Sequence, residues 1–318
     1  MKGTKILLSF AMLFILLIFV KPQNILGSLS SMNYTLFVIA FVLVIPLMLS
    51  AFLRWKVILD NNNVRIPFIQ SIKIYLIGVF LSFITPAKLG TLAKFYYLNR
   101  SYNVNRSTGL SLSIMEKAFD IIIVVSVSLL GIISMFGKSN PFFIIIWIAI
   151  IILIFSLFSR KVFVTLVSFL MRKLYFLKLF QMHSTDTLSA ASNMYTPFNN
   201  IIVNRKFFAY TFILTVCYWF IFSLQIFFLC ASLGINISIV NCIFAACLSS
   251  AIAFIPVTLG GIGTRDFTLV YIFMLVGSSY DISVVASLLV FLITQFVMII
   301  FGWIFYSTYG DVHEKQAD

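Results

Sequence analysis

The sequence predicts an all-α polytopic membrane protein with about six transmembrane helices, two re-entrant helical hairpins and the layout of an inverted-topology repeat. Three observations carry that expectation. The 318 residues are 62% hydrophobic and 10% charged, with mean hydropathy +1.10, whereas a soluble domain carries about 25% charge. Apolar runs of about 20 residues, long enough to cross a hydrocarbon core as helix, recur from end to end. Basic residues gather in alternate loops once two of those runs are folded back on themselves. No polar stretch is long enough to form a separate soluble domain. The chain 1–318 therefore reads as one integral membrane domain: a first half 1–160, a cytoplasmic segment 161–206, a second half 207–309 and a tail 310–318.

The elements follow in order. MKGTKILLSFAMLFILLIFV supplies a first helix at 5–20, retained in the main reading. Its basic start, its apolar run and the small residues of ILGSLSS after it also fit a cleaved signal peptide. Residues 33–53 span, and Arg54-Trp55-Lys56 closes them as an interface anchor whose long side chains snorkel. The alternative for Arg54 is contact with lipid phosphate at the cytoplasmic entrance. The run 67–100 is interrupted by ITPAKLG; 109–136 and 141–159 span. KVFVTLVSFLMRKLYFLKLFQM, 161–182, mixes basic and bulky apolar residues and reads as an interfacial helix, and 183–200 as a polar connector. Residues 207–233 and 283–309 span, while 238–277 is interrupted by PVTLGGIGTRD.

Charge threads these segments. If 67–100 enters and returns, then Lys2, Lys5, Arg54, Lys56, Arg65, Arg100, Arg106 and the basic 160–206 loop share one face. The other face keeps only Lys21 and Lys138. Basic loops mark the cytoplasmic side, which puts both termini in the cytoplasm and the protein in the cell membrane. By the same logic 238–277 is a hairpin entering from outside, so the two halves run mirror-image courses.

Charged side chains inside a bilayer are costly and usually face a cavity or a partner. Here they fall in three places: Lys88 and Lys94 in ITPAKLGTLAKFYY; Glu116, Lys117 and Asp120 in SIMEKAFDI; Arg265 and Asp266 in GGIGTRDF. Glu116 and Asp120 share a helix face and Lys117 can pair with Asp120. That pairing leaves Glu116 to meet Lys88 or Arg265. Thr85-Pro86 and Thr264 read as helix starts, so each break aims a helix N-terminus into the protein, suited to an anionic group. Gly90, Gly260, Gly261 and Gly263 permit tight turns and close backbone approach. A set of ion pairs that only lock helices together is the plainer alternative.

A formal net charge of +13, from 22 basic and 9 acidic residues, is accounted for by membrane-flanking loops, so nucleic acid is not an expected partner. Gly260–Gly263 has no preceding strand and no following lysine-serine pair, which argues against a nucleotide loop. The four cysteines share no CxxC spacing and the two histidines stand alone, so neither a metal nor a cofactor is expected.

The order Arg54-Trp55, Pro86 to Gly90 (PAKLG), Glu116-Lys117-x-x-Asp120 and Pro256-x-x-x-Gly260-Gly261-x-Gly263-x-Arg265-Asp266 resembles the flippase-like membrane domain of lysylphosphatidylglycerol synthases and its stand-alone relatives. The resemblance covers nearly the whole chain. It departs where PAKLGT replaces a Gly-rich acidic turn, Lys117 an arginine and Asp266 a glutamate. These 318 residues hold no counterpart of the soluble aminoacyl-transferase domain, so the resemblance implies movement of a modified anionic lipid between leaflets rather than lysyl transfer.

The residues themselves point the same way. Lys88 and Arg265 suit a phosphate, with Glu116, Asp120 and Asp266 balancing them or engaging a cationic headgroup, and a basic 161–178 surface gathering anionic lipid. The expected partners are membrane lipids with anionic headgroups; the sequence leaves oligomeric state open. A small-solute secondary transporter, a membrane glycosyltransferase and a structural assembly factor are the alternatives. Against the glycosyltransferase, there is no Asp-x-Asp pair, and the first external loop, KPQNILGSLSSMN, has no acidic residue.

Overall fold

The computed structural model describes residues 27–85, 88–136, 203–255, 257–258 and 260–314, together with isolated positions between 145 and 200. The expected helix 5–20 falls outside these residues, and the helix 141–159, the interfacial helix 161–182 and the connector 183–200 meet them only at single positions and short runs such as 194–197. Among the described residues the regular structure is entirely helical.

Helices α1 (Tyr34–Val42) and α2 (Val44–Asn61) run on as one 28-residue rod, about 42 Å long at 1.5 Å per residue. The rod continues eight residues past the expected end at 53, because LRWKVILDN has no helix breaker and buries Arg54, Trp55, Ile58 and Leu59. Asn33 caps its start, accepting from the Leu36 N–H at 3.2 Å. α3 (Phe68–Phe83) begins after Pro67 and stops at the TPAK break. The chain resumes as a 3₁₀ turn, Leu89–Ala93, then α4 (Lys94–Tyr102) and the 31-residue α5 (Arg106–Phe136).

The second half opens with α6 (Arg205–Ser232), followed by α7 (Ile239–Ala253), whose Ser238 cap accepts from the Asn241 N–H. After the glycine break come α8 (Thr264–Leu275) and α9 (Tyr280–Val290). A π-helical stretch, Phe291–Phe296, then leads into α10 (Val297–Glu314). Among the described residues, the apolar stretch Tyr280–Thr308 joins the rod and α6 as the helical runs long and apolar enough to cross a membrane; α3 and α7 are shorter apolar helices.

The rod and α6 form the antiparallel centre. Asn33 N–H donates to Ser232 O at 2.8 Å at one end, Gln225 Nε2 to Ala40 O at 3.1 Å, and Arg54 reaches Thr215 towards the other. Gln225 also accepts from Thr294 at 2.9 Å, tying α6 to the π-helical stretch, where a widened turn commonly marks a functional position.

Around this pair the halves exchange partners: α3 packs on α10 and α7 packs on α5. Glycine makes both crossings close. A Cβ on Gly302 would stand 2.3 Å from Leu76 O, and one on Gly131 would stand 2.6 Å from Phe244 Cγ. The loop after the rod (Asn63 to Ile66) and the loop after α4 (Tyr102 to Asn105) line one cavity of about 390 Å³. The start of α3 and the end of α4 therefore lie at the same end of the molecule. Ser111 Oγ donates to Met194 O at 2.5 Å and Asn200 to Asn62 at 3.4 Å, so the described part of the connector is at that end too.

Candidate functional site

The first group of charges is organised by Arg54. Its Nη1 donates to Asp120 Oδ1 at 2.6 Å and to Thr215 Oγ1 at 3.3 Å, and its Nη2 reaches Glu116 Oε1 at 3.3 Å and Asp120 Oδ2 at 3.4 Å. With 1% of its surface exposed, Arg54 is not the snorkelling anchor expected from its place after an apolar run. The rod's continuation to Asn61 puts it inside the helical bundle, where the planar guanidinium can bridge two carboxylates of α5.

Glu116 is completed by Lys94, whose Nζ donates to Glu116 Oε2. Lys94 sits 3.9 Å above the Trp55 ring and 5.2 Å from that of Tyr75, so the buried ammonium is held by a carboxylate and two aromatic faces. Neither Lys88 nor Arg265 meets Glu116, as the sequence reading supposes. Lys94 does, because the 3₁₀ turn swings the start of α4 back against α5. Lys117 does pair with Asp120, at 3.2 Å. Thr215 and Gln225 are buried polar residues that the sequence does not single out; their signal is only that they interrupt apolar runs.

The second group lies at the glycine break. Gly260, Gly261 and Gly263 have φ of 58°, 80° and 84°, a region that favours glycine. Gly260 also makes the two breaks touch: its N–H donates to Thr85 O at 3.4 Å, and a Cβ there would lie 2.7 Å from Phe83 O. Thr264 is the first residue of α8 rather than its cap. The capping is done by Asp266, whose Oδ2 accepts from the Gly263 N–H at 3.0 Å, while Thr264 Oγ1 bonds Gly261 O and Thr258. Asp266 Oδ1 also accepts from Arg265 Nη2 at 2.5 Å and from Ser287 at 3.2 Å.

Arg265 lies 5.2 Å over the Phe291 ring, which stacks with Phe83 of the first break. Its buried Nε has no hydrogen-bond partner among the described residues. At the first break, Thr85 Oγ1 accepts from the Gly90 N–H at 2.6 Å, and Gly90 packs its backbone directly on Leu81. Lys88 stands between the two groups. It is held at φ 54°, 5.8 Å from the Phe254 ring, within electrostatic range of Arg265, Lys117, Asp120 and Asp266. It makes no ion pair among the described residues. The structure thus joins the residues expected at the site into two linked clusters, one centred on Arg54 and one on Asp266, with Lys88 between.

Residues 4–302 match the family described as the lysylphosphatidylglycerol synthase TM region. The chain belongs to that family. A UPF0104 membrane protein from Methanocaldococcus jannaschii, 26% identical over 233 residues, covers 72% of this chain and is itself covered over 93% of its length. Within this member of the lysylphosphatidylglycerol synthase TM family, the matched span takes in both breaks and both charge clusters. It is a helical membrane protein whose buried charges lie at the two breaks and on the rod and α5 beside them.

Proposed function

We propose that this protein is a lipid translocator that moves an anionic or modified phospholipid, or a polyprenyl-phosphate-type lipid, between leaflets. The observation that carries the reading is the contact between the two breaks: Gly260 against Phe83 and Thr85, with Lys88 and Arg265 beside it. Interrupted helices meeting inside a membrane protein expose backbone donors and tolerate charge where a headgroup must cross. Ile84 and Ile255, 54% and 52% exposed at the two breaks, give acyl chains an apolar surface next to those cations.

The packing supports an inverted repeat as the moving frame. Each half supplies a long helix, a short leg, a break and a second long helical run, and the leg of each half lies on the final helix of the other. In this reading 67–100 and 238–277 are re-entrant hairpins from opposite faces. The end carrying Arg65, Arg100, Arg106 and Arg205 is cytoplasmic by the positive-inside bias, in the cell membrane. Rocking of the halves about the rod and α6 exposes the site to each leaflet in turn.

Reconstitution tests this. In vesicles carrying fluorescent phospholipids, the protein is expected to make inner-leaflet label accessible to an external quencher, with Arg265→Ala and Glu116→Ala each abolishing transfer while still inserting. Solute uptake without lipid movement, or full activity in both variants, overturns the reading.

A further inference from the structure

We propose that the site is built for a dianionic phosphate monoester headgroup, in preference to the singly charged phosphodiester of ordinary phospholipids; this rests on the translocator reading and sharpens it. The charge balance carries the argument. Among the described residues, the linked clusters hold five basic side chains, Arg54, Lys88, Lys94, Lys117 and Arg265, against three carboxylates, Glu116, Asp120 and Asp266. Two basic side chains are thus left without a carboxylate of their own among these residues, in a setting where an uncompensated charge is expensive.

The excess has a location. Arg54 and Lys94 are committed to the α5 carboxylates, and Asp120 is shared between Arg54 and Lys117. Asp266 is spent three ways, on Arg265, Ser287 and the Gly263 N–H. What remains at the breaks, among the described residues, is Lys88 without an ion pair and a buried Arg265 Nε without an acceptor. A phosphate monoester, whose second ionisation falls at about pH 6, supplies two charges and three terminal oxygens to these donors. A diester supplies one charge and leaves the other cation uncompensated.

Lys88 offers a separation of function from folding. Its φ of 54° is a conformation that glycine adopts without cost, so Lys88→Gly removes the ammonium while relieving the backbone. The test is binding of dioleoyl phosphatidic acid, dioleoyl phosphatidylglycerol and inorganic phosphate to the detergent-solubilised full chain, with thermal unfolding as the folding control. Phosphatidic acid is expected to bind at least about tenfold more tightly than phosphatidylglycerol at pH 7.5, one charge-assisted contact being about that much in affinity. The ratio is expected to fall towards one at pH 5, where the monoester carries a single charge. Lys88→Gly is expected to melt no lower than the wild type and to lose the preference; Arg265→Gln is expected to weaken phosphatidic acid by a similar factor.

Equal binding of the two lipids, or an unchanged preference in Lys88→Gly, overturns the proposal. Inorganic phosphate competing as tightly as phosphatidic acid would keep the dianion site and assign it to a soluble phosphate ester. Selective binding without transfer in vesicles would overturn the translocator reading alone, and transfer without selectivity would overturn this one alone.

Discussion

At the scale of single residues, the centre of the protein is Arg54, which satisfies two carboxylates of another helix and one threonine of a third. Truncating one partner of such a buried set strands the others. Arg54→Ala is therefore expected to destabilise by about 3–5 kcal/mol, read as a lower unfolding midpoint in detergent. Combining Arg54→Met with Asp120→Leu removes both ends of the strongest pair and is expected to recover part of that loss, since Glu116 keeps Lys94. Lys117→Ala should cost far less. Its pair with Asp120 is half-buried at 3.2 Å and duplicates what Arg54 already supplies. Of these contacts only the Lys117–Asp120 pair is legible from spacing, because it lies within one helical turn. The pairing of Arg54 with residues more than sixty positions away follows no local rule.

At the scale of elements, the short legs α3 and α7 are placed by the long helices of the opposite half. The two crossings rest on a missing side chain: Gly302 against the backbone of Leu76 and the side chain of Phe80, Gly131 against Phe244. Gly302→Leu would drive its side chain into a carbonyl, which cannot rotate away. We expect a loss of stability of about 1–3 kcal/mol or more, the usual range for overpacking, and reduced lipid transfer through a displaced α3. Gly131→Ala meets the ring of Phe244, which can turn, and should be milder; thermal unfolding of both variants checks the order. The breaks themselves are visible in the sequence as TPAK and GGIG inside apolar runs. Their geometry is not: the return from the first break is a 3₁₀ turn followed by a nine-residue helix, and the second is capped by Asp266 from inside its own first turn.

At the scale of the whole molecule, the loops at Asn63–Ile66 and Tyr102–Asn105 line one cavity, and Asn62 touches Asn200 of the connector. Single cysteines at Asn62 and Ser101 are accordingly expected to react with a membrane-impermeant reagent from the same side of the membrane. Labelling from opposite sides would dismiss the re-entrant reading of 67–100. At the opposite end the rod and α6 are joined by the Asn33–Ser232 hydrogen bond, and the chain turns after α6 at Gly234.

The sequence by itself determined the solvent and the class: a helical membrane protein, with charge inside its apolar runs concentrated at two breaks and on α5. Composition and apolar run length decide these because a bilayer imposes the same requirement on every residue that enters it. Helix order among the described residues and the positions of both breaks were legible for the same reason, and the family from its short motifs. Only the tertiary structure decided which charges meet. Lys94 rather than Lys88 takes Glu116, and Arg54 turns inward rather than to the surface, because ion-pair partners are chosen by how helices cross. Those crossings are set by glycines and side-chain volumes far apart in the chain. Lys88, without an ion pair among the described residues, is what that choice leaves behind.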